Sequence, residues 1–191
     1  VRRNIIIAVF GRKGLGKTYL VKWIVRRSRR MILIDTLNEY NNGTVVYDTD
    51  ALFDMAMEPE FRIVFRPLND EDFEYALDLA IAVGNLTLVI DEIDQHTTSY
   101  SLPEKLRWVI HYGRHYNVSL VVAARMPQRI RTDITAQADV ILSFQQQGKA
   151  TISYLKDFTD LDLDLYVRDL EAHKFISIIG DFSLDNPPDL P

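Results

Sequence analysis

The stretch NIIIAVF-GRKGLGKT-YLVKWIVRR, residues 4 to 27, decides the fold. Its first part, Asn4–Phe10, is a short, apolar, β-branched run of the kind that forms a strand buried on both faces of a parallel sheet. Its last part places Leu20, Val21, Ile24 and Val25 on one face of a helix. Between them, Gly11–Thr18 fits the phosphate-binding pattern G-x-x-x-x-G-K-[ST] at every position. Each fixed residue has its own task. Gly11, Gly14 and Gly16 allow a tight turn that aims backbone N–H groups at phosphate oxygens, with Arg12, Lys13 and Leu15 completing the cradle. Lys17 supplies a charge for the β- and γ-phosphates, and the Thr18 hydroxyl is a candidate Mg²⁺ ligand. The helix that starts here turns its positive end toward the same phosphates. ATP and Mg²⁺ are therefore the expected ligands.

A second stretch, LTLVIDEID at residues 86 to 94, reads as a strand that ends in an acidic pair. Strands of an open parallel sheet deliver their C-terminal ends to the ligand crevice, so Asp91 is expected beside the phosphate loop, holding Mg²⁺ directly or through water. Glu92, one residue on, is placed to accept a proton from an attacking water. Alone, this pattern describes a solvated acidic turn as well as a catalytic pair; the phosphate loop upstream favours catalysis. The chain has no N-K-x-D stretch to pair with guanine, and ATP is the default base rather than a derived one.

Composition sets outer bounds. A length of 191 residues suits one domain, taken as residues 1–184, followed by an extended, loosely ordered tail at 185–191 (DNPPDLP). With 47% hydrophobic and 26% charged residues, the chain reads as an ordinary globular protein. No apolar run is long enough to span a membrane, and VRRN leads straight into the first strand without a secretory leader, so direct membrane insertion is not expected. The absence of cysteine removes disulfides and thiolate metal sites and suits a cytoplasmic location, the host cytoplasm if the source is viral. A net charge of −5 argues against coating DNA through global charge, though not against locally basic loops.

Strand and helix patterns alternate. Strands are expected at Asn4–Phe10, Met31–Asp35, Thr44–Tyr47, Arg62–Arg66, Leu86–Asp91, Val118–Ala123, Asp139–Phe144 and Phe175–Ile179. Helices are expected at Lys17–Arg27, Asp50–Met57, Asp70–Val83, Pro103–His115 and Asp160–Glu171. This order predicts an α/β fold, a RecA-like P-loop NTPase with a mostly parallel central sheet flanked by helices.

Four segments resemble the HerA/FtsK superfamily of P-loop motor ATPases. They are the phosphate loop; the VIDE strand end; ILIDTLNEY, in which Asp35, Glu39 and Tyr40 match the marked positions of a D-x-x-x-E-Y stretch; and HYGRHYNVSLVVAARMPQRIRTDITAQADVILSF, residues 111 to 144. A motor core of this size is most similar to viral genome-packaging ATPases. The resemblance implies an ATPase that translocates double-stranded DNA as a homo-oligomeric ring, pentamer or hexamer, and packages a viral genome with a capsid portal or vertex protein as partner. It places Arg114 as a finger reaching into the neighbouring subunit's ATP site, with Arg107 in reserve. It places Arg125 at the γ-phosphate sensor position, where many members have Gln; an Arg there could equally face DNA or a neighbour.

Competing readings remain for several residues. Arg125, Arg129 and Arg131 could contact duplex phosphates, or form local ion pairs. Arg26, Arg27, Arg29 and Arg30 read as cations at a helix C-terminus. His111 and His115 lack a carboxylate to complete a zinc set. Asp160, Asp162, Asp164 and Glu171 have Ca²⁺-loop spacing, but Leu165 stands where the sharp turn needs Gly. Two other functions compete with the motor: a small-molecule P-loop kinase, and an assembly or export ATPase similar to the zonular occludens toxin family. Glu92 favours hydrolysis, because a kinase has no water to position.

Overall fold

Runs of Ile, Val, Leu and Phe build eight strands, each within two residues of its expected bounds: β1 (Ile6–Phe10), β2 (Arg30–Ile34), β3 (Thr44–Val46), β4 (Phe61–Phe65), β5 (Leu86–Ile90), β6 (Val118–Ala124), β7 (Val140–Phe144) and β8 (Phe175–Ile179). The chain's computed structural model describes residues 4–185 and 190–191. The strands form one sheet in the order β3-β4-β2-β5-β6-β1-β7-β8, parallel throughout except for β8, which runs antiparallel to β7.

Both faces of the sheet are covered, so the central strands are apolar on both sides. One face carries Ala8, Phe10, Ile32, Ile34, Leu88, Ile90, Leu120 and Val122. It packs against α2 (Thr49–Ala56), α3 (Asp70–Val83), α4 (Glu104–Tyr112), α5 (Thr132–Gln137), α6 (Lys149–Lys156) and α7 (Leu163–Tyr166) through residues such as Leu52, Phe73, Leu106, Ile134, Ile152 and Leu163. The other face carries Ile7, Val9, Leu33, Val89 and Val121 and is covered chiefly by α1 (Lys17–Ile24), through Leu20, Val21 and Ile24. Side-chain caps fix two helix starts: at α2 the Asp48 carboxylate accepts from the Ala51 N–H, and at α3 the Asn69 side chain accepts from the Asp72 N–H.

The register of the three central strands positions the functional edge. Phe10 pairs with Ala124, and Ile90 pairs with Val122. The residues that follow, Gly11, Arg125 and Asp91, therefore leave the sheet at one edge. Because β8 is antiparallel and pairs Phe175 with Phe144, its start lies at that edge too.

Two expectations need correction. The helix expected over Asp160–Glu171 is only the four-residue α7; Asp164 is held by Lys156 and Arg168 instead, and no group of three His, Cys, Asp or Glu among the described residues could hold a metal. The helices α5 and α6 are additions to the expected set: each buries only two or three residues, too short a stripe to read as a period. The tail at 185–191 is expected to be extended and loosely ordered. Residues 186–189 lie outside the described residues, but Leu190 is buried in the α1-side core, and the Pro191 carbonyl accepts a 3.3 Å hydrogen bond from the Thr87 hydroxyl. Leu190→Ala should therefore lower stability by roughly 2 kcal/mol in urea denaturation; an unchanged midpoint would mean that the tail does not pack.

Candidate nucleotide-binding site

β1 enters the phosphate loop through a hydrogen bond from the Gly11 N–H to the Ala124 carbonyl, 3.2 Å. A Cβ at Gly11 would lie 2.8 Å from Cβ of Phe144, so only glycine fits there. Gly16, with φ of 103°, takes the left-handed turn that starts α1 at Lys17. Arg12 is tied to Gln147 by a 2.8 Å hydrogen bond, which anchors the loop to the segment after β7.

Lys17 is almost fully buried, and its Nζ lies 3.6 Å from Oε1 of Glu92. The other Glu92 oxygen, Oε2, accepts from Arg125 Nε at 3.1 Å. Arg125 reaches this position because β6 lies between β1 and β5, so the residue after β6 emerges between the phosphate loop and the acidic pair. Glu92 itself has φ 48° and ψ 47°, a left-handed conformation uncommon for a non-glycine residue. Such strain persists where the surroundings over-determine it, here by two cations and a buried neighbour.

Asp91 is buried beside it, and its Oδ1 accepts from the Glu92 N–H at 2.9 Å. Burial pushes the Asp91 carboxyl up to about 6, against the opposing pull of the Tyr40 hydroxyl and the Glu92 N–H. The Tyr40 hydroxyl lies near both Asp91 and Thr18 but makes no hydrogen bond of normal geometry, and burial raises its pKa far above the usual phenol range. Thr18 donates to Glu39 Oε2 at 2.8 Å. Asp35 organises this side of the site. It accepts from the N–H groups of Glu39 and Tyr40 at 3.0 and 3.1 Å and pairs with Arg66 at 3.2 Å.

Lys17, Thr18, Glu39, Glu92 and Arg125 line a cleft of about 650 Å³ that runs across the phosphate loop to Trp23, His173, Phe175 and Leu184. Four cations, Arg12, Lys13, Lys17 and Arg125, border it, as a polyphosphate requires. Thr18, Asp91 and the unpartnered Tyr40 hydroxyl offer hard oxygen donors in one place, a set that suits a hydrated Mg²⁺. The residues present fit both ligands.

Among the predicted site residues, Lys17, Thr18, Asp91, Glu92 and Arg125 thus come together at one edge. Arg114 does not. It is exposed in the turn before β6, at the far end of a strand of seven residues, roughly 20 Å from Arg125. It cannot serve the site of its own chain. Arg107 is also exposed, on α4. Arg131 pairs with Asp133 at 2.6 Å, while Arg129 is exposed. In the cluster that follows α1, Arg29 pairs with Glu60 and Arg30 caps the carbonyls of Asn85, Glu58 and Pro59, which are structural roles. The sequence marks Glu39 but not its bond to Thr18, and it carries no signal for the aromatic end of the cleft, which joins segments far apart in the chain.

The family model for the central domain of helicase HerA matches residues 6–187. The chain belongs to this HerA central-domain family. It is a HerA/FtsK-type P-loop ATPase by sequence and fold. The genome-packaging NTPase B204 of Sulfolobus turreted icosahedral virus 2, in complex with sulfate, superposes with a TM-score of 0.76 at 19% identity, covering 93% of this chain and 92% of that one. The ATP-gammaS complex of the same protein gives 0.75 at 21% identity, with 91% of each chain covered. VirB4 of Thermoanaerobacter pseudethanolicus gives 0.62 at 13% identity, covering 94% and 90%. None of the curated proteins compared with the chain matches it. No helix among the described residues is long and apolar enough to cross a membrane.

The raised Asp91 pKa has a consequence for stability. The neutral acid stabilises the metal-free fold fully below about pH 4, and that contribution is lost as pH rises through about 6. Asp91→Asn keeps an acceptor for the Glu92 N–H and removes the ionisation. In EDTA the variant should be more stable than the wild type at about pH 7.5, by roughly 1–3 kcal/mol, with the gap closing near pH 4. A gap that does not change with pH would contradict the buried, ionisable Asp91.

Proposed function

We propose that this protein is an ATP-hydrolysing motor that translocates double-stranded DNA and packages a viral genome into a capsid. The observation that carries the reading is Glu92, a carboxylate at the end of β5 held between Lys17 and Arg125 at the phosphate loop. Hydrolysis needs a carboxylate beside the phosphates that can position and deprotonate a water, and Glu92 stands there. Membership of the HerA family and the likeness to a genome-packaging NTPase support the choice of DNA as the track. In this reading residues 1–184 form the ATPase domain, the working form is a pentameric or hexameric ring in the cytoplasm, and a capsid portal or vertex protein is the packaging partner.

The residues divide the chemistry. The N–H groups and charges of Gly11–Thr18 take the phosphates. Thr18 and Asp91 would hold Mg²⁺, which would neutralise phosphate charge. In the described arrangement Glu92 is neutralised by Lys17 and Arg125. A bound triphosphate competes for both cations, and Glu92, released from them, takes the proton of the attacking water while Arg125 faces the γ-phosphate. Arg114, remote from its own site, acts on the ATP of the adjacent subunit.

The direct test is ATP turnover with and without duplex DNA. Turnover should rise on adding DNA, and Glu92→Gln should keep ATP binding while losing at least about a hundredfold in rate. Turnover indifferent to DNA would remove the motor; normal turnover in the variant would move the base elsewhere. Assembly is tested separately. Arg114→Ala should bind ATP normally and hydrolyse it about 10³-fold more slowly. Mixing it with Lys17→Ala should restore part of the activity, since a mixed interface joins an intact phosphate loop to an intact Arg114. No recovery at any ratio, with mixed oligomers shown to form, would contradict a role in trans.

A further inference from the structure

The cleft extends well beyond the phosphate residues, and the sheet order fixes which way a nucleotide lies in it. β6 and β5, which deliver Arg125 and Glu92, stand on one side of β1; β7 and β8 stand on the other. A triphosphate whose γ-phosphate meets Arg125 and Glu92 must direct its base toward β8. There the cleft is lined by Trp23, His173, Phe175 and Leu184. The wall is a packed aromatic series. Phe175 contacts Phe144 at 5.7 Å and Phe182 at 5.9 Å between ring centroids, and Phe182 meets Trp23 edge-on at 5.9 Å. Arg26 lies over the Trp23 ring at 3.6 Å and helps to hold it.

This end holds flat and apolar surface but little that can read a base edge. Among the described residues that line it, no Asn, Gln, Asp or Glu is present. Among the described residues its side-chain hydrogen-bonding groups are the indole N–H of Trp23, a donor only, the imidazole of His173 and, one turn earlier on α1, the exposed Tyr19 hydroxyl. The distinction matters because a site built to hydrogen-bond its ligand rejects an analogue by about 10⁴ or more, whereas apolar and stacking contacts discriminate weakly. Stacking tolerates any base, since every base presents a π-face, and contributes about 1–3 kcal/mol.

We propose that Trp23, His173, Phe175 and Leu184 form a base slot that holds purines by stacking and burial, so that the protein takes ATP and GTP alike. The slot rests on the reading of the cleft as a nucleoside triphosphate site. It adds the substrate class: purine nucleoside triphosphates, with the base contributing affinity but little selectivity.

The test compares ATP, GTP and inorganic tripolyphosphate, each with Mg²⁺, by calorimetric titration of the full chain. ATP and GTP should bind within about fivefold of each other, and tripolyphosphate at least about tenfold more weakly, the equivalent of one stacking contact. Trp23→Ala should weaken both nucleotides about tenfold and leave tripolyphosphate unchanged, whereas Lys17→Ala should weaken all three. A second readout is independent of that variant's folding. The chain has two tryptophans, so Trp108→Phe leaves Trp23 as the one reporter. Its fluorescence should respond to ATP and to GTP but not to tripolyphosphate. Discrimination between ATP and GTP above about a hundredfold overturns the proposal, as does a Trp23 signal that ignores both nucleotides. If tripolyphosphate binds as tightly as ATP, the base slot falls while the phosphate site stands. If none of the three binds, both readings fall together.

Discussion

The parallel register of β1, β6 and β5 is the constraint on which the site depends. Phe10 is level with Ala124, and Ile90 with Val122, so three loops leave the sheet side by side. A slip of one residue would turn every side chain of a strand to the opposite face. Alternate residues of these strands pack into two different cores, so such a slip would exchange the contents of both. The hydrophobic packing that fixes the register therefore also fixes the Lys17–Glu92–Arg125 cluster. The buried charges of Lys17 and Glu92 are tolerable only because they are paired, Glu92 also with the half-exposed Arg125. A ligand that brings more negative charge redistributes those pairings without any movement of the sheet.

Much of this was legible in the chain because the signals were local. The strand-loop-helix of residues 4 to 27 combines a period, a glycine pattern and a lysine within one short window. The pair Asp91–Glu92 was legible for a similar reason: it ends an apolar run, and the fold class says where such runs end. Asp35 illustrates the same point. It matches a marked position in the sequence, and in the structure it accepts the Glu39 and Tyr40 N–H groups and so sets the loop that reaches Thr18.

The rest was hidden because it depends on distance along the chain. Arg125 could be read as a sensor, a DNA contact or a member of a loop ion pair; its contact with Glu92 follows only from β6 lying between β1 and β5. The aromatic end of the cleft joins Trp23 to residues about 150 positions later, brought over by the antiparallel turn of β8. The short helices α5 and α6 carry too few buried residues to show a period, and tertiary packing decides them. The contrary case is Asp160–Glu171, which reads as an amphipathic helix, yet Lys156 and Arg168 claim Asp164 and only four residues coil.

Glu92 is held by the two cations that a triphosphate would take. The most direct measurement is a crystal structure of the protein with a non-hydrolysable ATP analogue and Mg²⁺. Phosphate oxygens should lie against Lys17 and Arg125, with the metal at the Thr18 hydroxyl and the Glu92 carboxylate clear of both cations and facing a water. A bound analogue with the Lys17–Glu92 and Arg125–Glu92 contacts still in place would contradict it.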